Sequence, residues 1–405
     1  MKWLFAFFLW VAWINSVTAQ NDVSGIILDS ITREPVPYAN VYFANTSVGT
    51  YSSEDGKYTI KNFPDGKYDL TVSFVGYLTS QISLEFSSTK KSVNFLLSPK
   101  TTQLTEVVIS PDTSHRESNL RQFFRNFIGE TENSKSCVVM NRKEIFIDYD
   151  VSTGLLSALS RKPIVIENRA LGYRVFYDLQ IFEADYIHGS QLYLGIPRFE
   201  DLEPKNKTQF KRWEKERARA YFGSFGHFIS LMKQGSWGEN FVVYKLYRVK
   251  NAERPSTEFL NKQIARLERK YAESPFLVTR NIYGNDSLSY YMRLKRKPEL
   301  IDSLGSLVKD PSALLDSAHN TITYTGMLRI VYKKEPEESR YAIFNNRAPG
   351  RGQHSTITIL APIRIYENGY YEDVRDIFFE GYMGWSEKIS ELLPLEYFPS
   401  SKGVD

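Results

Sequence analysis

The sequence predicts a mainly β, α+β protein: an N-terminal seven-stranded β-sandwich followed by a larger antiparallel-sheet domain with helical insertions. Three observations carry this expectation. Seven short strand patterns succeed one another between Asp22 and Ser98, separated by turn signals at intervals of about 8–12 residues, the spacing of a sandwich. Tyr and Phe number 26 each in 405 residues, and both suit a pleated, half-buried surface. Beyond Ser118, strand patterns predominate but are broken by stretches with apolar residues at helical spacing.

Ahead of the sandwich, Lys2 precedes an apolar run from Trp3 to Ile14. Polar Asn15 and Ser16 follow, then the small residues of Val17-Thr18-Ala19. The run falls short of the roughly 20 residues a spanning helix needs, so residues 1–19 are predicted to be a signal peptide cleaved before Gln20. A lipid-anchored product would need cysteine where Gln20 stands. The single cysteine, Cys137, lies in a strand pattern and is expected to be a buried thiol, with no intrachain disulfide or thiolate zinc site open to it. No later window resembles a membrane-spanning helix. A net charge of +4 carries no nucleic-acid signature. Export to the periplasm, or peripheral association with the outer membrane, is therefore expected.

Within residues 20–98 the predicted strands are Val23–Leu28, Ala39–Phe43, Gly49–Ser52, Lys57–Ile60, Tyr68–Val75, Ser80–Leu84 and Ser92–Leu97. Thr32-Arg33-Glu34-Pro35, Glu54-Asp55-Gly56 and Pro64-Asp65-Gly66 separate them as turns, since Asp-Gly supplies a residue tolerant of positive φ. Along Tyr68-Asp69-Leu70-Thr71-Val72-Ser73-Phe74, alternation lets one face pack while the other stays wet.

Several spaced blocks of this region carry a resemblance. They are Val23-Ser24-Gly25-Ile26-Ile27, Thr32 to Val41, Gly49-Thr50, Asp55-Gly56-Lys57-Tyr58, Gly66-Lys67-Tyr68, and Ser73-Phe74-Val75-Gly76-Tyr77. In this order they resemble the carboxypeptidase-like regulatory domain, a prealbumin-like sandwich related to starch-binding-like folds. The resemblance implies an accessory module without metal or nucleophile. The residues agree: a zinc carboxypeptidase needs His-x-x-Glu, and none of His115, His188, His227, His319 and His354 has Glu three residues later. Thr105-Glu106-Val107-Val108-Ile109 resembles the stretch that follows this domain in TonB-dependent transporters, which implies a shared location near the outer membrane. The same residues also suit a plain extended linker. The chain is too short for a transporter barrel of that type.

Residues 99–118 are predicted to be a linker, with residues 119–405 as one α+β domain. Ser118 is expected to cap a helix carrying Leu120, Phe123, Phe124, Phe127 and Ile128 and ending at Gly129. The strand patterns Cys137–Asn141, Glu144–Tyr149, Pro163–Glu167 and Tyr173–Phe182 follow. Asp148 with Asp150, and Glu183 with Asp185, each share a strand face at i, i+2, as an acid/base or metal pair requires; strand-end acids facing water are the commoner case. Glu203 to Arg219 holds seven basic and three acidic residues and reads as a charged helix. Phe210, Trp213, Tyr221, Phe225, Phe228 and Met232 form its expected core stripe, and a lipid-facing helix is the sharper alternative. Ser224 and His227 lack the Gly-x-Ser-x-Gly spacing of a nucleophile elbow, so a helix break with a packed histidine is expected there.

Further helices are predicted at Thr257–Ala272, capped by Ser256, and at Glu299–Val308, with a final turn in Ser386–Leu393. Strands are predicted at Ser289–Arg296, Thr321–Tyr332, Tyr341–Phe344, Thr356–Ile365 and Ile377–Gly381. The helices between Glu203 and Val308 fit poorly with a closed transmembrane barrel. Asn168 to Tyr173, Arg217 to Phe228, Glu367-Asn368-Gly369-Tyr370 and Leu393 to Tyr397 resemble chains that carry the regulatory domain at their N-terminus, without adding chemistry. The expectation is a non-catalytic binding or scaffold protein with no cofactor or metal, its partner an outer-membrane protein or a glycan. A hydrolase working through Glu144, Asp148, Glu183 or Glu367 is the alternative.

Overall fold

The computed structural model describes residues 21–100, 115–272, 287–372 and 374–399. The expected signal peptide, most of the expected linker, and Thr105 to Ile109 lie outside these residues. The chain divides into two compact units. The first comprises residues up to Tyr221, Ile365–Tyr371 and Lys388 onward; the second comprises Phe222–Arg364 and Glu372–Glu387.

The first unit begins with β1 (Asn21–Asp29), β2 (Asn40–Phe43), β3 (Gly49–Tyr51), β4 (Lys57–Phe63), β5 (Gly66–Ser73), β6 (Ser80–Phe86), β7 (Lys90–Ser92) and β8 (Phe95–Leu97). One sheet runs β4-β1-β7 with β8 also on β1, and the other runs β3-β2-β5-β6. Between them lie buried Val23, Ile27, Val41, Leu70, Val72 and the aromatic group Phe43, Phe63, Tyr68 and Phe86, whose rings approach at 4.5–4.8 Å. The expected last strand is split in two. Val93 C=O lies where a side chain on Gly25 would sit, accepting from the Tyr58 hydroxyl at 2.7 Å, and Asn94 Oδ1 accepts from Ile26 N–H at 3.0 Å.

The same unit continues with α1 (Arg116–Phe127), β9 (Cys137–Val139), β10 (Ile145–Asp150), β11 (Leu155–Ser160), β12 (Ile164–Asn168), β13 (Tyr173–Asp185), β14 (Ser190–Asp201) and α2 (Lys207–Tyr221). The sheet order is β10-β11-β13-β12-β9, and β14 pairs along the whole of β13. α1 lays Leu120, Phe123 and Phe127 on this sheet, with Phe123 edge-on to Phe182 at 4.7 Å and Phe127 to Tyr177 at 5.0 Å. The helix starts at Arg116 rather than being capped by Ser118, and Gly129 ends it at φ +101. Cys137 is half-buried, and burial pushes its thiol up to about 12, so it stays protonated and unreactive. The chain's last described stretch returns here: Ile389 joins the core, and Ser390 C=O accepts from Asn168 Nδ2 at 2.8 Å.

The second unit holds α3 (Phe225–Lys233), β15 (Phe241–Lys250), α4 (Thr257–Ala272), α5 (Ser287–Arg296), β16 (Leu300–Leu307), β17 (Leu315–Asp316), β18 (Thr321–Ile322), β19 (Gly326–Pro336), α6 (Ser339–Phe344), β20 (Gly352–Ile359), β21 (Ile363–Arg364), β22 (Ile377–Gly381) and α7 (Tyr382–Ser386). Its main sheet is antiparallel in the order β16-β15-β19-β20-β22, with a small sheet β17-β18-β21. Phe228 stacks on Trp237 at 4.9 Å beneath it.

Several elements differ from expectation. Glu299–Val308 is not a helix: β15 offers a long edge, and Leu300–Leu307 pairs with it from Lys250↔Leu300 to Tyr244↔Leu307. Ser289–Arg296 is not a strand but lies in α5, where Tyr291 meets Phe259 of α4 at 6.2 Å. Tyr341–Phe344 is likewise helical, with Tyr341 held against Tyr382 and Trp385 at 5.3 Å each. The strands β11, β14, β15 and the short β17 were not expected. The supposed single stripe from Phe210 to Met232 belongs to two helices in different units, and Phe210 is exposed. Ser256 does cap α4, accepting from Phe259 N–H at 3.2 Å. Among the described residues no helix is long and apolar enough to cross a membrane.

Candidate functional site

Within the first unit the sandwich meets β14 along a short seam. Asn45 N–H donates to Pro197 C=O at 2.8 Å, Phe199 N–H donates to Thr46 C=O at 3.0 Å, and Tyr42 and Ala44 bury Ile196. Beside the seam opens a cleft of about 500 Å³, lined by Asn40, Tyr42, Thr50 and Tyr51 on one side and by Arg198 to Asp201 on the other.

Each wall includes a strand with an open edge, β3 on one side and β14 on the other. Phe43 N–H donates to Val48 C=O at 3.0 Å and Ser52 N–H donates to Ala39 C=O at 2.9 Å. The hydrogen-bonded pairs of β2 and β3 are therefore 43/48, 41/50 and 39/52, and Gly49 and Tyr51 turn their backbone N–H and C=O away from β2. On β14, Phe199 donates outward to Thr46, so the Phe199 C=O and both backbone groups of Asp201 point away from β13 in the same sense.

The side chains of the cleft are fixed from behind. Arg198 stacks on Phe176 at 4.0 Å and pairs with Glu200 at 2.6 Å. Glu200 continues across the sheet through Arg174 to Glu167, one residue from each of three neighbouring strands. Arg217 of α2 is buried, lies 3.8 Å over the Tyr173 ring, donates to Leu171 C=O at 2.7 Å and pairs with Asp201 at 2.9 Å. Next to it Trp213 donates to Arg169 C=O at 2.9 Å and covers Gly172, whose positive φ of +73 and lack of Cβ both serve this contact. Burial, and after it the charge of Asp178, pushes the Tyr42 hydroxyl well above the usual phenol range, so Tyr42 stays neutral. Tyr51 is 58% exposed. The cleft thus offers backbone donors and acceptors, one accessible aromatic ring and a carboxylate, a set suited to recognition rather than to proton transfer.

The carboxylates singled out by sequence lie elsewhere. Asp148, Ser157 and Glu183 are partners across β10, β11 and β13, and so are Asp150, Leu155 and Asp185. All four acids share one sheet face, with Asp148 and Glu183 about 10 Å apart by strand spacing and both exposed. Asp150 and Asp185 serve turns. Hydrogen bonds from the Ser152 and Thr153 hydroxyls hold the Asp150 carboxyl below its usual range, and the backbone N–H and ring of His188 do so for Asp185. Glu144 pairs with Lys162 at 3.0 Å, and Glu367 is an exposed loop residue. Among the described residues no group of three or more His, Cys, Asp or Glu is placed to hold a metal ion.

Ser224 caps α3, accepting from His227 N–H at 3.2 Å, while His227 Nδ1 accepts from Gly223 N–H at 3.1 Å. The serine is therefore committed to the helix end. Burial lowers the His227 imidazole to about 4. His354 is half-buried. The nearby Glu337 is buried; its Oε1 accepts from Arg347 at 2.5 Å and from His354 N–H at 3.3 Å. His115 lies at the start of α1, and His188 and His319 are exposed, each 2.7 Å from an aspartate three residues earlier.

Comparison with known proteins bears on the sandwich. Residues 23–109 match the family model of the CarboxypepD_reg-like domain. This segment is a CarboxypepD_reg-like domain. A TonB-dependent receptor from Formosa agariphila is 32% identical over 98 residues, a stretch that covers 24% of this chain and 9% of that receptor. The shared part is the CarboxypepD_reg-like domain. Among solved structures, a candidate carbohydrate-binding protein from Bacteroides uniformis aligns at 10% identity over 44% of this chain and 78% of its own, with a TM-score of 0.18. A candidate membrane-associated protein of unknown function from Bacteroides fragilis aligns at 9% identity over 89% and 93%, with a TM-score of 0.16. Scores at this level carry no argument.

The cleft residues were not singled out by sequence. Leu192, Leu194 and Ile196 alternate as a strand should, but Gly195 and Pro197 disguise β14 as a turn. The glycine is required because a Cβ there would meet the Tyr177 ring at 2.2 Å.

Proposed function

We propose that this chain is a non-catalytic, exported binding or scaffold protein of the cell envelope, and that the cleft beside the CarboxypepD_reg-like domain receives an extended segment of a partner protein. The observation that carries this reading is the pair of open strand edges, Gly49 to Tyr51 and Phe199 to Asp201, facing one cleft. A polypeptide laid between them satisfies its own backbone groups, and strand addition of this kind draws its affinity from main-chain hydrogen bonds. Export and an envelope location are supported by the apolar run at Trp3 to Ile14 and by the domain shared with a TonB-dependent receptor. An extended glycan is the second ligand that the exposed Tyr51 ring and Asp201 favour. Hydrolysis is favoured less, because Asp148 and Glu183 are both exposed on one face of a sheet.

The test is a photo-crosslinking amino acid in place of Tyr51, activated in intact cells, with the same replacement at exposed Ile31 as the control. A discrete protein adduct from position 51 and none from position 31 is the expected outcome. Equal labelling from both positions, or none from position 51, overturns the proposal.

A further inference from the structure

We infer that α2 is an electrostatic docking surface for an anionic lipid membrane. The helix is firmly seated on its inner side. Asn206 caps it by accepting from Gln209 N–H at 2.9 Å, and Trp213 and Arg217 are its buried anchors. At about 100° per residue, Lys207, Lys211, Lys215, Arg219 and Arg212 all fall on the opposite side, within about 140° of arc.

The acids of this helix reach only one end of that face, at Arg219. Glu214 pairs with buried Arg217 at 3.2 Å, and Glu216 lies 3.8 Å from Arg219. Lys207, Lys211, Arg212 and Lys215 are exposed and form no ion pair among the described residues. Exposed like-charged side chains at i, i+4 repel one another and weaken a helix unless a partner neutralises them. An unneutralised row of this kind is therefore a surface that gains from meeting negative charge.

The geometry selects the kind of partner. Lys207, Lys211 and Lys215 step along the axis by about 6 Å each and project side by side. They do not converge on a point, so they match an array of separated charges rather than one ion. They are mostly lysines, which act as point charges without the planar fork that reads a particular ligand. An anionic bilayer fits all of these features, and this inference stands independently of what the cleft binds.

The experiment is co-sedimentation of the purified full chain with vesicles of phosphatidylcholine alone or with about one-third phosphatidylglycerol. Binding is expected only to the anionic vesicles, and it should fall steeply as salt rises to several hundred millimolar. The triple change Lys207→Gln, Lys211→Gln, Lys215→Gln should weaken it by about a hundredfold, given roughly fivefold per surface lysine. The change of Lys295→Gln with Arg296→Gln on α5 should leave it intact. Circular dichroism keeps misfolding apart from lost binding. Equal binding to neutral vesicles, insensitivity to the α2 changes, or an equal loss from the α5 control overturns the inference. So does displacement by inorganic phosphate beyond that of chloride at matched ionic strength, which would assign the row to a free anion.

Discussion

His227 shows how one buried side chain can couple stability to pH. It lies between Phe222, Phe241 and Tyr332, with ring separations of 5.1–5.9 Å, and Nδ1 takes the Gly223 N–H. Burial lowers its pKa to about 4, below the ordinary imidazole value. Between those two values the unfolded chain binds a proton that the folded chain refuses, so stability falls as pH drops from about 6.5 towards 4 and the penalty is absent above that window. His227→Gln, which keeps an acceptor for Gly223, should flatten the dependence of melting temperature on pH across this interval. Parallel profiles for the two proteins would show that other groups govern the acid limb. The same residue also illustrates what sequence could and could not say. Its nearness to Ser224 was visible, but the direction of the serine, towards the backbone of its own helix, depends on where α3 begins.

At the scale of elements, α1 carries the most legible signal in the second region. Its apolar residues recur at helical spacing, and Phe123 and Phe127 are fully buried against the sheet. Phe127→Ala leaves a cavity among Tyr177, Phe182 and Tyr193 and should cost about 3–5 kcal/mol, read from the midpoint of chemical denaturation. A cost below about 1 kcal/mol would mean that the helix contributes little to this core. The exchanged assignments at α5 and β16 mark the opposite case. Leu300-Ile301-Asp302-Ser303-Leu304 has no strict period and accepts either state; the free edge of β15 decides for the strand. Ser289 to Arg296 holds two tyrosines that suit a strand, yet packing on α4 makes it helical. Local preference was weak in both, and tertiary contact outweighed it.

Taken as a whole, the first unit is discontinuous. Residues 388–399 return to it after the second unit is complete: Ile389 enters the core, Glu391 accepts from Thr131 and Asn133, Leu395 N–H donates to Asn45 C=O at 2.8 Å, and Glu396 accepts from Ser47 N–H at 2.6 Å. A chain ending at Glu387 should therefore lose stability in its N-terminal half, with faster proteolysis between residues 115 and 221 than in the full chain. Unchanged protection there would show that the returning segment is dispensable. Nothing in the spacing of Leu393-Pro394-Leu395-Glu396-Tyr397 announces this role, because Asn45 and Ser47, which meet Leu395 and Glu396, lie about 350 positions away.

What the sequence determined by itself is local. Alternating strands, Asp-Gly turns and ordered blocks specify the CarboxypepD_reg-like sandwich, since its turns carry their own conformational instructions. The tertiary structure alone decided the cleft, the placement of four acids on one sheet face, and the seating of α2 through Trp213 and Arg217. Each depends on which edges and faces meet across long stretches of chain. A sequence states what each segment can form, and the free edges and faces of the other segments determine which of those possibilities is kept.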